Sequence, residues 1–126
     1  MTLGHPKLLI LRDDRDVRTF PSMAWANGGY LGLPLDGNGA HQPFAEDVVT
    51  IRRGDLIVAY TDGMAEAMNG VGEMFDDVRG IKNAIPPNLQ SDGTPEQVAR
   101  AIDHAVVEHA GGRFVDDRTV MALRVV

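Results

Sequence analysis

Leu56-Ile-Val-Ala-Tyr-Thr-Asp-Gly63 decides the fold of this chain, together with a second stretch, Val115-Asp-Asp-Arg-Thr-Val-Met-Ala-Leu-Arg124. In the first stretch a continuous apolar run ends at Asp62 and the glycine after it. In the second, the doublet of Asp116 and Asp117 opens another apolar run. If both runs are neighbouring strands, carboxylates 54 positions apart (116 − 62) meet at one edge of a sheet. Hard divalent cations require such clusters of oxygen ligands, so the sequence predicts a cation site there.

The composition is that of one ordinary folded domain spanning residues 1–126, with 44% hydrophobic and 24% charged residues. A chain of this length buries roughly two thirds of its unfolded surface, which is enough for one core. Its formal net charge is 12 − 18 = −6, without a dense Lys/Arg stripe. We therefore expect no nucleic-acid partner and no anionic membrane partner.

Cellular location is suggested by what the sequence lacks. There are no cysteines, which fits a reducing compartment and excludes thiolate metal sites. The first residues have neither the basic start nor the apolar core of a secretory signal, and no run approaches the roughly 20 apolar residues of a membrane helix. We expect a cytoplasmic protein.

The apolar runs predict an antiparallel sheet. Lys7–Arg12 reads as a strand with a short return through Val17–Phe20, and Val48–Ile51 with Leu56–Tyr60 has the pattern of a β-hairpin. A last strand is expected over Thr119–Val125. Between these strands, residues 26–43 are rich in glycine and proline and are expected to form an irregular loop.

Helices are predicted as a block between the hairpin and the last strand. The strongest pattern is Pro95–Ala110, because Thr94 can act as an N-cap and Gln97 completes a capping box. A short helical turn is expected over Met64–Met68, and a helix over Glu73–Ala84 that stops before a pair of prolines. This order favours an α+β fold with helices on one face of an antiparallel sheet.

Each acidic candidate also has an ordinary structural explanation. Asp62 can belong to an Asp-Gly turn, where Asp bonds to its own backbone. Asp116 and Asp117 can form a solvated start of the last strand, or pair with a nearby arginine such as Arg118 or Arg124. Glu66, four positions after Asp62, can simply be exposed. His5 can be structural or can line a site, and the residues alone leave these alternatives open.

Five segments of the chain, in order, carry a resemblance to a known family. They are Gly4-His5-Pro6, Leu31-Gly32-Leu33, Tyr60-Thr61-Asp62-Gly63, Gly72-Glu73-Met74-Phe75 and Asp116-Asp117-Arg118-Thr119-Val120. Together they resemble the C-terminal half of the bacterial metal-dependent protein phosphatases (PPM, type 2C) of the stage II sporulation protein E and sigma-factor-regulator kind.

The resemblance implies an antiparallel β-sandwich flanked by helices, with two Mn²⁺ or Mg²⁺ ions at one end. Asp62 and Asp116 occupy the positions of metal-binding aspartates, with Asp117, Glu66 and His5 as neighbours of the metals. The implied reaction is hydrolysis of phosphoserine or phosphothreonine by a metal-activated water. The implied substrate is a phosphoprotein, and such relatives usually act on anti-sigma-factor antagonists.

The resemblance begins at the middle of the family domain, and its N-terminal half is missing from the match. We therefore expect a partial domain with an incomplete metal site and little phosphatase activity by itself. Half a sandwich leaves strand edges and an apolar face uncovered, so we also expect a homo-oligomer. The alternative is a non-catalytic module that keeps the phosphatase fold for partner binding in signalling.

Overall fold

One four-stranded antiparallel sheet and the helices that follow its third strand organise the chain. A computed structural model describes residues 8–12, 16–20 and 48–126. The strands are β1 (Leu8–Arg12), β2 (Asp16–Phe20), β3 (Leu56–Tyr60) and β4 (Val120–Arg124). The helices are α1 (Asp62–Ala65), α2 (Val78–Asn83), α3 (Pro87–Asp92) and α4 (Pro95–Ala110). This confirms the predicted α+β class.

β3 is an inner strand of the sheet, whose order is β2-β1-β3-β4. It pairs antiparallel with β1 on one side, where Leu11 lies opposite Leu56, and with β4 on the other, where Tyr60 lies opposite Val120. Because successive strand residues point to opposite faces, Leu56, Tyr60 and the valine midway between them face one side and are buried.

α4 covers that buried face of the sheet. Its first turn is held by the predicted capping box, in which the Thr94 hydroxyl accepts from the Gln97 amide and the Gln97 side chain accepts from the Thr94 amide. Its end is set by Gly111, whose φ of 59° is the left-handed conformation that glycine adopts freely. The fully buried side chains at helical spacing, Val98, Ile102 and Val106, pack into the core.

The opposite face of the sheet is also apolar but is partly open to solvent. Ile57 lies on this face, opposite Leu123 of β4, and Met121 is the next β4 residue on the same face. Met121 and Leu123 are 52% and 48% exposed. Two large apolar side chains at this exposure make a surface that favours contact with another apolar surface.

A buried ion pair joins β1 to the turn before β3. The Arg12 guanidinium donates to both carboxylate oxygens of Asp55, at 2.8 and 2.6 Å, and also to the Thr50 carbonyl. Asp55 is 2% exposed and accepts a further bond from the Arg52 amide. The hydrogen bond from Arg12 holds the pKa of Asp55 below its ordinary value of 3.8, although burial acts in the opposite direction.

The predicted hairpin over Val48–Ile51 is wrong. These residues form no regular element, because both edges of β3 are already occupied by β1 and β4. A turn does precede β3, with the Asp55 amide donating to the Arg52 carbonyl. It leads into β3 from a segment held by Arg12 rather than by strand pairing.

The predicted helix over Glu73–Ala84 is only partly correct, since α2 begins at Val78. The residues before it pair with the segment after α1: the Phe75 and Asp76 amides donate to the Ala67 and Ala65 carbonyls. Asp76 has a φ of 84°, a left-handed conformation that interrupts a right-handed helix. Tertiary hydrogen bonding therefore outweighs local helical propensity here.

Two further boundaries differ from prediction. The short helix after β3 starts at Asp62 rather than Met64, and Pro87 begins a helix instead of only ending one, as the first turn tolerates proline. The predicted loop over 26–43 lies outside the described residues. Within the described ranges, no helix has both the length and the apolar character needed to cross a membrane.

Replacing Asp55 with Asn should destabilise the fold by about 3 kcal/mol, because it removes the buried carboxylate that accepts two hydrogen bonds from the Arg12 guanidinium. Urea unfolding measures this difference. Arg100→Ala, which removes an exposed ion pair with Glu96, is the matched control and should cost less than about 0.5 kcal/mol.

The same pair predicts an acid dependence. Since the pKa of Asp55 is lowered in the native state, its contribution to stability is present above pH 3.8 and is lost as the pH falls below 3.8 through the lower native pKa. The Asp55→Asn substitution removes this component. Equal loss of stability on acidification in the parent and variant proteins would contradict the assignment.

Candidate metal site

The end of β3 and the start of β4 lie side by side at one edge of the sheet. Their paired residues end with Tyr60 opposite Val120, and the ladder continues one step further, where the Thr61 amide donates to the Thr119 carbonyl at 3.0 Å. Asp62 follows directly from this step. The structure therefore brings the Asp62 segment next to the residues that precede β4, as the sequence predicted.

Gly63 makes the closest approach between these segments. A Cβ atom at this position would lie 2.4 Å from the carbonyl oxygen of Asp117 and 3.4 Å from the carbonyl carbon of Asp116. No side chain fits at such distances, so glycine is required by the close approach of two backbones. The Asp-Gly pair is thus more than a turn signal, because its glycine sets how near the two acidic segments come.

The carboxylates of Asp62 and Asp116 make the same kind of local hydrogen bond. In each residue, Oδ1 accepts a hydrogen bond from the next amide in the chain, from Gly63 at 3.0 Å and from Asp117 at 2.8 Å. Both residues are exposed, and within the described ranges the Oδ2 atoms make no hydrogen bond. These oxygens are the free ligands that a hard cation could use.

The other predicted neighbours are less closely placed. Asp117 uses its backbone carbonyl to accept from the Thr61 hydroxyl, and its side chain is exposed. Glu66 is exposed at the end of α1, where its amide donates to the Asp62 carbonyl. His5 lies outside the described residues. Among residues 8–12, 16–20 and 48–126, no three acidic or histidine side chains converge to hold an ion.

The segment before β4 is tied to α4 by Arg118. Its Nε atom donates to Asp103 at 2.9 Å, and its guanidinium lies 4.1 Å from the centre of the Phe114 ring. The proposed pairing of Arg118 with Asp116 or Asp117 is therefore not what the structure shows. An open cleft of about 740 Å³ borders this segment, lined by Asp103 and by residues 114–119.

Arg124, the other arginine considered as a partner for the acidic doublet, lies at the far end of β4. It donates to the carbonyl oxygens of Gly54, Leu89, Gln90 and Gly93. Three of these bonds satisfy carbonyl groups at the end of α3, and the bond to Gly54 reaches the turn before β3. Arg124 therefore leaves the acidic doublet without an arginine partner among the described residues, which keeps its carboxylates available.

Tyr60, the last residue of β3, anchors the chain just before the candidate site. Its side chain is buried, and its hydroxyl donates a hydrogen bond to the Asp77 carboxylate. Burial, and then the bond to Asp77, raise the pKa of Tyr60, so it stays protonated. The loop between α1 and α2 is also held from α4, where the His109 ring bonds to the Glu73 carbonyl and packs edge-on against Phe75.

Sequence reasoning found the two acidic segments but missed what joins them. The Thr61 hydroxyl accepts from the Thr119 amide at 2.9 Å and donates to the Asp117 carbonyl at 3.2 Å. Thr61 belongs to the Tyr-Thr-Asp-Gly motif, so the sequence pattern includes this residue. Its role depends on the register of β3 against β4, which the sequence does not specify.

Comparison with known proteins decides the family. The sequence pattern of the family described as Stage II sporulation protein E (SpoIIE) matches residues 1–126, the whole chain. This chain belongs to the SpoIIE family. No curated protein matches it.

Two solved structures of the SpoIIE phosphatase domain from Bacillus subtilis are similar to this member of the family. One, in a form presoaked with Mn, has a TM-score of 0.63 and 20% identity, and the match covers 98% of this chain and 48% of that one. The other has a TM-score of 0.60 and 19% identity, covering 95% and 48%. The SpoIIE-type phosphatase fold is thereby confirmed, and the chain spans about half the length of those domains.

Replacing Gly63 with Ala should separate the two acidic segments of this SpoIIE-family chain, because the added methyl group would overlap the Asp117 carbonyl oxygen. Overpacking of this kind costs about 1–3 kcal/mol in urea unfolding. Gly70→Ala is the control, since a Cβ there meets nothing within 4 Å. A Gly63→Ala protein as stable as Gly70→Ala would show that the contact is not close in solution.

Proposed function

We propose that this chain is part of a metal-dependent serine/threonine protein phosphatase domain and supplies Asp62 and Asp116 as ligands to Mn²⁺ or Mg²⁺. The observation that carries the proposal is the contact between Gly63 and the backbone of Asp117, which puts two free carboxylate oxygens on adjoining segments. The donor atoms are all oxygen, which suits hard divalent cations rather than zinc.

The chemistry of such a site is hydrolysis of a phosphate ester. A bound divalent ion supplies an activated water and neutralises charge on the phosphoryl group. In this chain, Asp62 and Asp116 would hold the ion. The amides of Gly63 and Asp117 fix one oxygen of each carboxylate, which orients the other oxygen before any ion arrives. On this proposal, the exposed side chains of Asp117 and Glu66 would orient water near the ion.

The proposed substrate is a phosphoserine or phosphothreonine on a regulatory phosphoprotein, of the kind represented by anti-sigma-factor antagonists. Family membership and the similarity to a SpoIIE phosphatase domain support this substrate class. A cytoplasmic location belongs to the same proposal and fits a chain without cysteine.

The expected activity of this chain alone is low. A divalent ion of this type takes about six oxygen ligands, and two aspartates with water leave the ion weakly held. Since the match covers 48% of the solved phosphatase domain, further ligands would come from a part of such a domain that this chain does not match. A weak site that gains affinity when completed is the expected behaviour.

A second candidate is a non-catalytic interaction module with the phosphatase fold. It is favoured by the lack of any three converging acidic or histidine side chains in residues 8–12, 16–20 and 48–126. On this alternative, Asp62 and Asp116 serve as turn residues that bond only to neighbouring amides. The two candidates differ in one measurable property, which is site-specific cation binding.

Isothermal titration with Mn²⁺ should show weak binding, with a Kd of about 10⁻⁴ to 10⁻³ M, as in the weakest natural oxygen-ligand sites. Asp62→Asn and Asp116→Asn should each weaken it about tenfold or more, because each removes a charged ligand. Asp92→Asn is the control, since Asp92 is an exposed aspartate on α3 and the change in net charge is the same. In a p-nitrophenyl phosphate assay with Mn²⁺, turnover should stay near background.

Two results would contradict these expectations. Equal binding by Asp62→Asn and Asp92→Asn would mean that Mn²⁺ is held by general negative charge, which favours the interaction module. Substantial turnover that Asp62→Asn abolishes would show that the chain alone is a competent phosphatase, against the expectation of low activity.

We also propose that the chain self-associates through β4. The backbone groups of Thr119 and Val125 bond to residues 61 and 54–55, on the side of β3. In an antiparallel strand, alternate residues direct their backbone groups to opposite sides. The backbone groups of Val120, Ala122 and Arg124 therefore point away from β3. No described strand borders β4 on that side. A second copy of β4, antiparallel about Ala122, would place Met121 opposite Leu123 on the apolar face and would keep Arg124 away from its own copy.

Light scattering checks this surface. The chain should behave as a dimer at micromolar concentration, and Leu123→Lys should shift it to monomer, because two lysines would enter the apolar pairs. Val115→Lys is the control, as Val115 is fully exposed and lies outside the strand. A monomeric parent chain would contradict the proposal.

A further inference from the structure

Thr61 is in an N-cap position but does not act as a cap. It precedes α1 with extended dihedral angles (φ −86°, ψ 161°), yet its side chain makes no bond to the helix amides. Thr and Ser at this position usually accept a hydrogen bond from one of those amides and so stabilise the helix. In this chain the Thr61 hydroxyl instead makes hydrogen bonds to another segment, and these bonds outweigh capping.

The partners of the Thr61 hydroxyl lie in the segment before β4. The Thr61 hydroxyl accepts from the Thr119 amide at 2.9 Å and donates to the Asp117 carbonyl at 3.2 Å. The Thr61 amide adds a third bond, to the Thr119 carbonyl at 3.0 Å. Thr61 therefore holds both peptide groups that flank Arg118, between Asp117 and the start of β4.

The hydrogen bonds of Thr61 differ from those of a regular antiparallel strand pair. In a regular antiparallel ladder the Thr119 amide would donate to the Thr61 backbone carbonyl. Here the carbonyl of Thr61 instead accepts from the Met64 amide and begins α1. The hydroxyl replaces that carbonyl as the acceptor, so that the chain can turn into α1 while the strand contact is kept.

We infer that Thr61 is a positioning residue for the cation site: its hydroxyl fixes the Asp117 peptide against Gly63 and thereby sets the separation of Asp62 and Asp116. The inference rests on the proposed function, since it concerns the same cation. Gly63 permits the close approach and Thr61 enforces it, because a glycine alone leaves the segments free to move apart.

The test is Mn²⁺-induced broadening of amide NMR signals in residues 60–66 and 115–119, which detects weak binding. Thr61→Val keeps the shape and removes the hydroxyl, and it should weaken Mn²⁺ binding about tenfold. Thr61→Ser keeps the hydroxyl and should restore binding. Thr94→Val is the matched control: it removes the α4 cap and should lower the Tm without changing Mn²⁺ affinity.

A second measurement uses the unmodified chain and does not depend on a variant that folds. If the Thr61 bonds position the cation site, a bound cation must in turn stabilise those bonds, because coupling between two equilibria is reciprocal. Saturating Mg²⁺ should therefore slow hydrogen exchange of the Thr119 amide, but not that of the Gln97 amide in the α4 cap.

The possible outcomes distinguish failure of the positioning role of Thr61 from failure of the proposed function. Thr61→Val with parental Mn²⁺ affinity, or a Thr119 amide that is insensitive to Mg²⁺ in a chain that binds it, overturns the positioning role and leaves the proposed function intact. A parent chain in which Mn²⁺ broadens no signal near 60–66 and 115–119 overturns the proposed function, and the positioning role with it.

Discussion

The register of β3 against β4 is the constraint on which the rest of the structure depends. With Tyr60 opposite Val120, the next step of the ladder joins Thr61 to Thr119, and the acidic segments meet at that edge. A slip of one residue would move the side chains of β4 to the other face and take the partly buried Val120 and Ala122 away from the core. The same pairing thus determines both the core and the candidate site, so selection for a stable sheet also preserves the site.

Much of the fold followed from local sequence patterns. α4 was predicted with its observed bounds, because its capping box and terminal glycine are local signals that burial of its apolar stripe reinforces. The strands with continuous apolar runs were also found. The hairpin over Val48–Ile51 was wrong for a non-local reason: β1 takes the edge of β3 that the hairpin would have needed.

The candidate site, like the fold, was predictable from the sequence only in part. Asp62 stands out because an apolar run ends at it, and Asp116 because it comes just before another such run; a family resemblance gave them a role. What joins them could not be predicted, since the Thr61 hydroxyl has partners 56 and 58 positions away and their choice follows from strand register. The Asp76 conformation, which delays the start of the predicted second helix to Val78, likewise accompanies tertiary hydrogen bonding.

The span of sequence between the paired strands affects how the protein assembles. Tyr60 and Val120 are 60 positions apart (120 − 60), whereas every bond within α4 is local. Helices form on a timescale of about a microsecond, but distant strands must first close a long loop, and chains rich in such contacts fold more slowly. The two aspartates therefore come together late, so a cation cannot serve as a template in the unfolded chain and binds only to a nearly native sheet.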